Sequence, residues 1–344
     1  MVPPRRSNPE LSIVVPLFNE QENIRELHRR VSESIASLGR TYELVFVNDG
    51  SRDHTAEIAN ELARRDGRVV VVHLSRNFGH QAAISAGIYV TRGRAVVLMD
   101  GDLQDPPEVL GQFVAAWEQG NDVVYAIREK RKENPFKRLA YFVFYRLLRA
   151  ISDLEIPLDS GDFCLMDRKV VDVLKHLPER MRFVRGLRTF VGFKQVGVSY
   201  ERAARNAGKP KYSMRALVGL AVDGLVSFSS YPLHLVTYVG VCASALAFSL
   251  MVWVFYDALS RHSAPRGWAS TTVVVLFMSA VQLISLGIMG EYVRRIFIEA
   301  KGRPAYVVAS LLRDEAIETD GWKAIDADAQ PAAFVSDAIN VEVS

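Results

Sequence analysis

A cluster of acidic side chains occupies the stretch MDGDLQDPPE, residues 99–108. It follows the apolar run Ala95–Leu98, which is typical of a buried strand. Asp100, Asp102 and Gln104 offer the oxygen ligands that hard cations such as Mg²⁺ or Mn²⁺ prefer, usually together with substrate phosphates. Because a cation would remove the repulsion between the carboxylates, the sequence predicts a metal site here. An acidic loop that only caps the next helix is the alternative, since a D-x-D pattern is common by chance.

A second polar segment, VNDGSRDHT at residues 47–55, also follows an apolar run. Ser51 or Asp53 could cap the helix that comes next, whereas Asp49 has no such role. A carboxylate at this position could accept hydrogen bonds from a nucleobase or a ribose. The chain contains neither GxGxxG nor GxxxxGK[ST], so neither a dinucleotide site nor a P-loop is indicated.

Basic and imidazole side chains supply further candidates. Arg76 could contact a diphosphate or lie in a surface turn, and Arg128 begins a basic segment that is either a lid over the site or a solvated charge run. The histidines are scattered and have no HxxxH or CxxC partner, so structural histidines are favoured over zinc ligands. Those considered are His73, His80 and His176.

These residues stand between strands and helices that alternate along the chain. The predicted strands are Leu11–Val15 (ended by Pro16), Glu43–Val47, Val69–Leu74, Ala95–Met99 and Val123–Ile127. The predicted helices are Gln21–Leu38, one that ends near Arg65, Gln81–Val90 and Pro106–Gln119. This alternation indicates an α/β fold with a parallel, doubly wound sheet. Ligands of such sheets bind at the carboxyl ends of the strands, where the polar residues gather.

Two long apolar stretches predict a transmembrane hairpin. Pro232–Tyr256 and Trp268–Met289 contain no Asp, Glu, Lys or Arg and are long enough to cross a bilayer. The flanks are richer in Lys and Arg than the loop between the stretches, which predicts a multi-pass inner (plasma) membrane protein with its large first domain and both termini in the cytoplasm. Small residues in both stretches would permit close helix packing and a homo-oligomer.

Charge and pattern divide the chain into six predicted segments. Residues 313–344 carry two basic and eight acidic side chains, so the rest of the chain is strongly basic and suits an anionic partner. The segments are an N-terminal extension (1–10), a catalytic domain (11–213), an amphipathic juxtamembrane segment (214–230), a two-helix hairpin (231–290), a second juxtamembrane segment (291–312) and an acidic, disordered tail (313–344).

Five ordered motifs resemble those of the inverting glycosyltransferases of family 2. They are VVPLFNE (14–20), VNDGSRDHT (47–55), LSRNFGHQAAISAGI (74–88), MDGDLQDPPE (99–108) and LDSGDF (158–163). With the two apolar stretches and EAKGRPAYVV (299–308), the chain looks most like the polyprenyl-phosphate glycosyltransferases. These include the bactoprenyl glucosyltransferases, the aminoarabinose transferases and the dolichyl-phosphate mannose synthases. The resemblance implies a GT-A fold, which is Rossmann-like with a mostly parallel sheet.

The resemblance also implies a role for individual residues. Nucleotide-sugar contacts fall to Pro16, Asn19, Glu20, Asp49, Arg76, Asp100 and Arg128. Asp102 and Gln104, with Asp100, would bind Mg²⁺ or Mn²⁺. Either Asp159 or Asp162, in a turn, would lie near the reacting centre. The acceptor phosphate would be held by Arg202, Arg205, Lys209 and Lys211.

The implied reaction moves one sugar from a UDP- or GDP-linked donor to a polyprenyl phosphate such as undecaprenyl phosphate, with inversion, and involves no nucleic acid. A lipid monophosphate, with a second pKa of about 6, is mostly a ready nucleophile at neutral pH, so the acidic residue is expected to position rather than deprotonate it. A processive polysaccharide synthase is a competing hypothesis, although QxxRW is absent. A membrane hairpin that flips lipid or acts as a scaffold is another.

Overall fold

The structure is a computed structural model in which residues 8–129, 160–180, 182–201, 267–313 and 316–318, with parts of 236–256, are described. These residues belong to two compact units. The first contains the sheet and its helices, and the second contains the long helix Trp268–Ala300. The predicted helix at 214–230 and the basic segment after Glu129 lie outside the described residues.

Within the described part of the chain, nine strands form one sheet in the first unit. They are β1 (Leu11–Leu17), β2 (Tyr42–Asn48), β3 (Val69–Leu74), β4 (Ala95–Leu98), β5 (Val123–Glu129), β6 (Ser160–Asp167), β7 (Gln195–Glu201), β8 (Val308–Arg313) and β9 (Ala316–Glu318). Among the described residues of this unit, six α-helices accompany them: α1 (Ile24–Ser37), α2 (Thr55–Arg65), α3 (His80–Val90), α4 (Leu110–Glu118), α5 (Arg168–His176) and α6 (Val184–Phe190). The predicted alternation of strands and helices over the first 127 residues is confirmed.

The sheet has the order β7-β5-β6-β4-β1-β2-β3-β8-β9 and is parallel at its centre. β4, β1, β2 and β3 run parallel to one another, whereas β6 and β8 pair antiparallel with β4 and β3. The carboxyl ends of β1 to β4 therefore meet at one edge of the sheet, as the sequence predicts.

Apolar side chains on both faces of the central strands explain why the sheet is covered on both sides. Ile13, Val15 and Phe46 join a buried cluster with residues of α1, α2 and α4. On the other face α3 packs against β1 and β2. A Cβ added at Gly87 would lie only 2.3 Å from Val14 Cγ1, so a glycine is needed for α3 to come this close. The close contact at Gly87 holds α3 against β1 and β2.

Pro16 does not end β1, contrary to the prediction. A proline is tolerated here because no strand-pairing hydrogen bond requires an N–H at this position. The strand continues to Leu17. The Val14 carbonyl accepts from Met99 N–H on the β4 side, and residues two apart in a strand point to the same side. Pairing with β4 stops at Val14, so the nitrogen of Pro16 faces a position beyond that pairing.

Three further segments differ from the sequence-based expectations, and one of them is Ala316–Glu318 (β9), a strand within the tail predicted to be disordered. Residues 160–163 of the LDSGDF motif, predicted as a turn, begin β6. Val308–Arg313 forms a strand that was not predicted, within and just beyond the segment assigned to the membrane flank. It pairs antiparallel with β3 along Val71–Leu74, so the chain returns to the sheet after the long helix.

The long helix of the second unit, Trp268–Ala300, has 33 residues. It exposes many large apolar side chains, among them Leu283, Ile284 and Phe297. Within the described part of the chain, no helix meets the combined length and hydropathy expected of a membrane span. The predicted hairpin at 231–290, part of which lies outside the described residues, stays a prediction.

Candidate active site

The loops after β1 and β2 are tied together by hydrogen bonds. Asn19, in the left-handed region at φ 55°, accepts a hydrogen bond from Arg52 N–H through Oδ1 (2.9 Å), and its own N–H donates to Ser51 Oγ (3.0 Å). The backbone N–H of Glu20 donates to Thr55 Oγ1 (2.8 Å). These bonds give the predicted nucleotide loop a defined shape. The Pro16 side chain is buried in β1, whereas Asn19 is exposed.

Asp49 connects the loop after β2 to the loop after β3. Its carboxylate accepts hydrogen bonds from Phe78 N–H (2.7 Å) and Gly79 N–H (3.0 Å), which precede α3. Burial raises the pKa of Asp49, although these two hydrogen bonds oppose the rise. Gly50 permits the approach, because a Cβ there would lie 2.5 Å from Asn77 N. Asp49 thus has a structural role that the sequence did not reveal, and its contact with a base stays a prediction.

Asp100 and Asp102 lie on the turn that follows β4. The turn is tight: Leu103 adopts φ 59°, and Gln104 N–H donates to Asp102 Oδ1 (3.2 Å). The side chain of Asp100 is 30% exposed. Burial raises the pKa of Asp100, and the neighbouring carboxylates add to the rise against the lowering effect of His80. The turn therefore concentrates negative charge at the edge where β1 to β4 end.

His80, the first residue of α3, lies between two carboxylates of this edge. Its Nε2 is 3.3 Å from Asp162 Oδ2 and 3.5 Å from Asp100 Oδ1. Burial alone would lower the pKa of His80, but the hydrogen bond to Asp162 and the charge of Asp100 raise it to about 9. The imidazole is therefore charged at neutral pH. The sequence pattern favoured a structural role for His80, whereas the structure places this histidine inside the site.

Asp162 on β6 is the most extensively contacted carboxylate of the site. Its Oδ2 accepts a hydrogen bond from Gln81 Nε2 (3.0 Å), and its Oδ1 lies 3.5 Å from Arg185 Nη2. Burial would raise the pKa of Asp162, but His80 and the guanidinium groups of Arg185 and Arg188 hold it well below its usual range. Asp162 is consequently ionised at neutral pH and positioned by three elements: β6, α3 and α6.

The donor set of the β4 turn fits a hard cation. Magnesium commonly uses one or two carboxylates together with substrate phosphates and water, and Asp100 and Asp102 supply two carboxylates on one turn. Among the described side chains, no three His, Cys, Asp or Glu residues form a complete metal-binding group. A cation at this turn would thus depend on ligand oxygens from a phosphate-bearing substrate, and Gln104 stays a predicted ligand.

The predicted site residues are only partly brought together. The structure places Asp49, Asp100, Asp102 and Asp162 at one edge of the sheet. Arg76 is exposed beside them, with its guanidinium carbon 4.3 Å from the centroid of the Phe78 ring. Arg128 belongs to β5, but its side chain lies outside the description. Also outside the described residues are Asp159, Arg202, Arg205, Lys209 and Lys211.

Three residues of the site were missed as functional candidates by sequence reasoning: His80, Gln81 and Arg185. The amide of Gln81 donates to Asp162, and its Oε1 accepts a hydrogen bond from Val184 N–H (2.9 Å) at the start of α6. A signal for the first two existed, because HQ follows the third predicted strand directly after a glycine. Arg185 had no such signal, since it lies on a short helix far along the chain.

The chain is similar to known glycosyltransferases. The family described as glycosyl transferase family 2 matches residues 12–174. The chain is 47% identical over 300 residues to an uncharacterized glycosyltransferase, YkcC, of Bacillus subtilis, an alignment that covers 87% of this chain and 93% of the relative. It is 40% identical over 300 residues to the prophage bactoprenol glucosyl transferase homolog of Escherichia coli, covering 87% of this chain and 98% of the relative.

Among solved structures, the mannosyltransferase PcManGT from Pyrobaculum calidifontis, in complex with GDP-Man and Mn²⁺, is similar with a TM-score of 0.40. It is 16% identical, and the match covers 82% of this chain and 88% of that protein. The mostly parallel sheet agrees with the GT-A fold that the motifs implied. Since relatives of at least 40% identity align along nearly their whole length, the chain belongs to glycosyl transferase family 2.

Proposed function

We propose that this glycosyltransferase moves a single sugar from a nucleotide sugar to a polyprenyl phosphate, undecaprenyl phosphate in particular, with inversion at the anomeric carbon. The observation that carries the proposal is the set of charged side chains at the strand ends. Asp100 and Asp102 lie on the turn after β4, and His80 bridges Asp100 to Asp162, which also contacts Arg185. A carboxylate-rich turn next to fixed cations suits a substrate pair in which both molecules carry phosphate.

The donor would lie across the ends of β1, β2 and β4. The nucleotide faces Asn19 and Glu20, and its diphosphate faces Asp100 and Asp102. Mg²⁺ or Mn²⁺, when bound by these two carboxylates, supplies positive charge that stabilises the departing nucleoside diphosphate. A UDP-linked sugar is the first donor to test, and a GDP-linked sugar is the alternative.

The acceptor phosphate needs no general base. Its second pKa is about 6, so most of it is dianionic at neutral pH and can attack the anomeric carbon directly. Asp162 is ionised, with its pKa held low, and has no proton to give to the leaving group. Its task is to orient the reacting sugar and to fix His80 and Arg185. Attack on the face opposite the diphosphate gives the inverted product.

The relatives and the apolar surface support a lipid acceptor. The Escherichia coli relative is named a bactoprenol glucosyl transferase homolog, and the match spans 98% of its length. Large apolar side chains are exposed on the long helix, a surface that soluble monomers rarely leave in water. We therefore place the enzyme at the inner membrane, with the catalytic unit and both termini in the cytoplasm. The basic residues 202–211 before the first apolar stretch would face the lipid head group.

Product analysis tests this proposal. Purified full-length protein is incubated with undecaprenyl phosphate, Mg²⁺ or Mn²⁺, and a panel of UDP- and GDP-linked sugars, and glycolipids are identified by mass and anomeric configuration by proton NMR. The expected product is one sugar per lipid with the inverted configuration. Products with several sugars would support a processive synthase. No glycolipid with any donor, and full cellular function of Asp102→Ala, would support the scaffold hypothesis instead.

A further inference from the structure

Residues 180–188 contain four arginines, Arg180, Arg182, Arg185 and Arg188. Two of them serve the fold. Arg180 Nη1 donates to the Arg303 carbonyl (2.7 Å), which anchors the segment before β8, and Arg182 Nη2 donates to the Leu174 carbonyl at the end of α5. The other two, Arg185 and Arg188, lie on α6, and the positive charge of both acts on Asp162 of the site.

The guanidinium group of Arg185 has few close contacts with the described residues. Its Nη2 lies 3.5 Å from Asp162 Oδ1, longer than a typical charge-assisted hydrogen bond. Its Nε is buried and has no hydrogen-bond partner among the described residues. The side chain nevertheless retains 28% exposure, so a ligand can reach it. A partly exposed guanidinium group whose contact with its carboxylate is long has capacity to bind an anion.

The contacts order the site as Asp100, His80, Asp162 and Arg185. His80 contacts Oδ2 of Asp162, whereas Arg185 contacts Oδ1, the other carboxylate oxygen. The donor diphosphate is assigned to the Asp100 end of this series. Arg185 stands at the other end of this series of contacts, next to Asp162, the carboxylate proposed to orient the reacting sugar. Because inversion requires the nucleophile to approach from the side away from the leaving group, the Arg185 end is where the acceptor phosphate would be.

Arg188 adds a second fixed charge behind this position. Its side chain is 1% exposed, and its guanidinium carbon lies 5.4 Å from the centroid of the Tyr125 ring. Nε and Nη2 have no hydrogen-bond partner among the described residues. A buried guanidinium is costly unless an opposite charge offsets it. Asp162 supplies one such charge, and a phosphate at Arg185 would supply a second.

We propose that Arg185 binds the phosphate of the acceptor, and so is a substrate-binding residue of α6 in addition to the predicted basic residues 202–211. The inference rests on the proposed function, since it names the acceptor side of the same site. The planar guanidinium matches two phosphate oxygens at once, which a lysine cannot do. Asp162 would then share the guanidinium with the phosphate and hold it in place beside the sugar.

The test measures acceptor and donor kinetics of Arg185→Gln and Arg185→Lys in full-length protein with undecaprenyl phosphate. The KM for the lipid should rise by about 10- to 100-fold in Arg185→Gln, the factor expected for losing a hydrogen bond to a charged group, with a smaller rise in Arg185→Lys. The donor KM should change less than about twofold, as should both constants in the control Arg64→Gln, an exposed arginine of α2.

Each outcome bears on the inference. A rise in donor KM with unchanged acceptor KM would assign Arg185 to the diphosphate and overturn it, as would unchanged constants. Loss of folded protein in both Arg185 variants, read by thermal unfolding, would assign a structural role and also overturn it. If the unsubstituted protein transfers no sugar to the lipid, the proposed function itself fails. This outcome is distinct from a failure of the Arg185 inference, in which the unsubstituted protein is active and only the variants are informative.

Discussion

The Nε2 atom of His80 lies 3.3 Å from Oδ2 of Asp162 and joins the amino end of α3 to β6. The same nitrogen is 3.5 Å from Oδ1 of Asp100, so one imidazole links three elements at the ends of the sheet. Burial would lower the pKa of His80, but these carboxylates raise it to about 9. At neutral pH the site therefore contains a fixed imidazolium between two acids, which lets Asp162 stay ionised while buried.

Asp162→Asn should reduce kcat by about 100-fold or more, the scale of losing one preorganised polar group in an active site. The amide keeps the shape of the side chain but loses the charge that holds His80 and Arg185. The loss should appear in kcat rather than in donor KM, because the contacts assigned to the nucleotide are on other loops. Steady-state kinetics with the donor and undecaprenyl phosphate provide the measurement.

The matched control for this variant is Glu33→Gln, an exposed carboxylate on α1 that pairs with Arg29. Surface pairs of this kind contribute little, so its kcat should match that of the unsubstituted protein. An Asp162→Asn enzyme with kcat within about threefold of the unsubstituted value would contradict a role for this carboxylate at the reacting centre.

Gly50→Ala should weaken donor binding because it separates the loops after β2 and β3. Gly50 has φ +64°, and an added Cβ would meet backbone atoms, 2.5 Å from Asn77 N and 2.6 Å from Arg76 C. The backbone must shift, and the hydrogen bonds from Phe78 and Gly79 to Asp49 would be stretched. We expect a loss of about 2 kcal/mol in the free energy of unfolding and a higher Kd for UDP by calorimetry.

Gly39→Ala separates the two causes of that effect. Gly39 has nearly the same φ, +63°, but an added Cβ there would have no atom within 4 Å. It should cost about 1 kcal/mol from backbone strain alone and leave UDP binding unchanged. Equal effects of the two substitutions on UDP binding would show that the close contact between the loops is unimportant.

The parts of this site that could be predicted from the sequence are those that follow strands. The apolar runs before Asp49 and Asp100 identify buried parallel strands, and polar residues at their carboxyl ends must meet at one edge. The positions of Asp49, Asp100 and Asp102 could therefore be predicted from the sequence. The hydrogen bonds of Asp49 could not be predicted, because its partners are the backbone N–H groups of Phe78 and Gly79 in another loop. No pattern of side chains in the sequence indicates such backbone contacts.

The remaining features depend on contacts between distant segments. His80 and Arg185 meet at Asp162 only because β6 runs antiparallel beside β4, and that pairing leaves no local signature. Likewise β8 joins β3 from near the end of the chain, after a long helix. Its residues VASLLR mix polar and apolar side chains, which suits a strand near the edge of a sheet. The same mixture is also compatible with a linker, so the sequence does not identify the strand. Tertiary context decided these elements.

Removal of divalent cations should abolish transfer, and Asp102→Asn should raise the cation concentration needed for half-maximal activity by about 10-fold or more. Asp102 is one of two carboxylates on the β4 turn, and its Oδ1 also accepts a hydrogen bond from Gln104 N–H. The asparagine can keep that hydrogen bond but supplies no charge. Titration of Mn²⁺ after EDTA treatment measures the effect.

The same titration with Asp53→Asn tests the specificity of this result. Asp53 organises the loop after β2 through Thr55 and Gln21 and has no assigned part in cation binding. Its cation requirement should equal that of the unsubstituted protein even if its donor KM rises. Full transfer in EDTA, or an unchanged Mn²⁺ requirement in Asp102→Asn, would exclude the β4 turn as the cation site.

Acid should selectively remove a stabilising contribution from Asp66, a residue remote from the reaction. Burial raises its pKa, but hydrogen bonds from Arg68 and His28 outweigh burial and lower it to about 2. A carboxylate with a depressed pKa in the folded state stabilises the protein above its unfolded pKa, near 4, and the stabilisation is lost as the pH falls toward 2. The shift corresponds to roughly 2 kcal/mol.

Asp66→Asn should therefore lower the free energy of unfolding at pH 6. The difference in the free energy of unfolding between this variant and the unsubstituted protein should become smaller as the pH falls from about 4 to 2. Urea unfolding of both proteins across this range measures the difference. Glu33→Gln, whose side chain is exposed, should show a difference near zero throughout. If the gap between Asp66→Asn and the unsubstituted protein is constant with pH, the residue contributes through packing and hydrogen-bond geometry rather than through its charge.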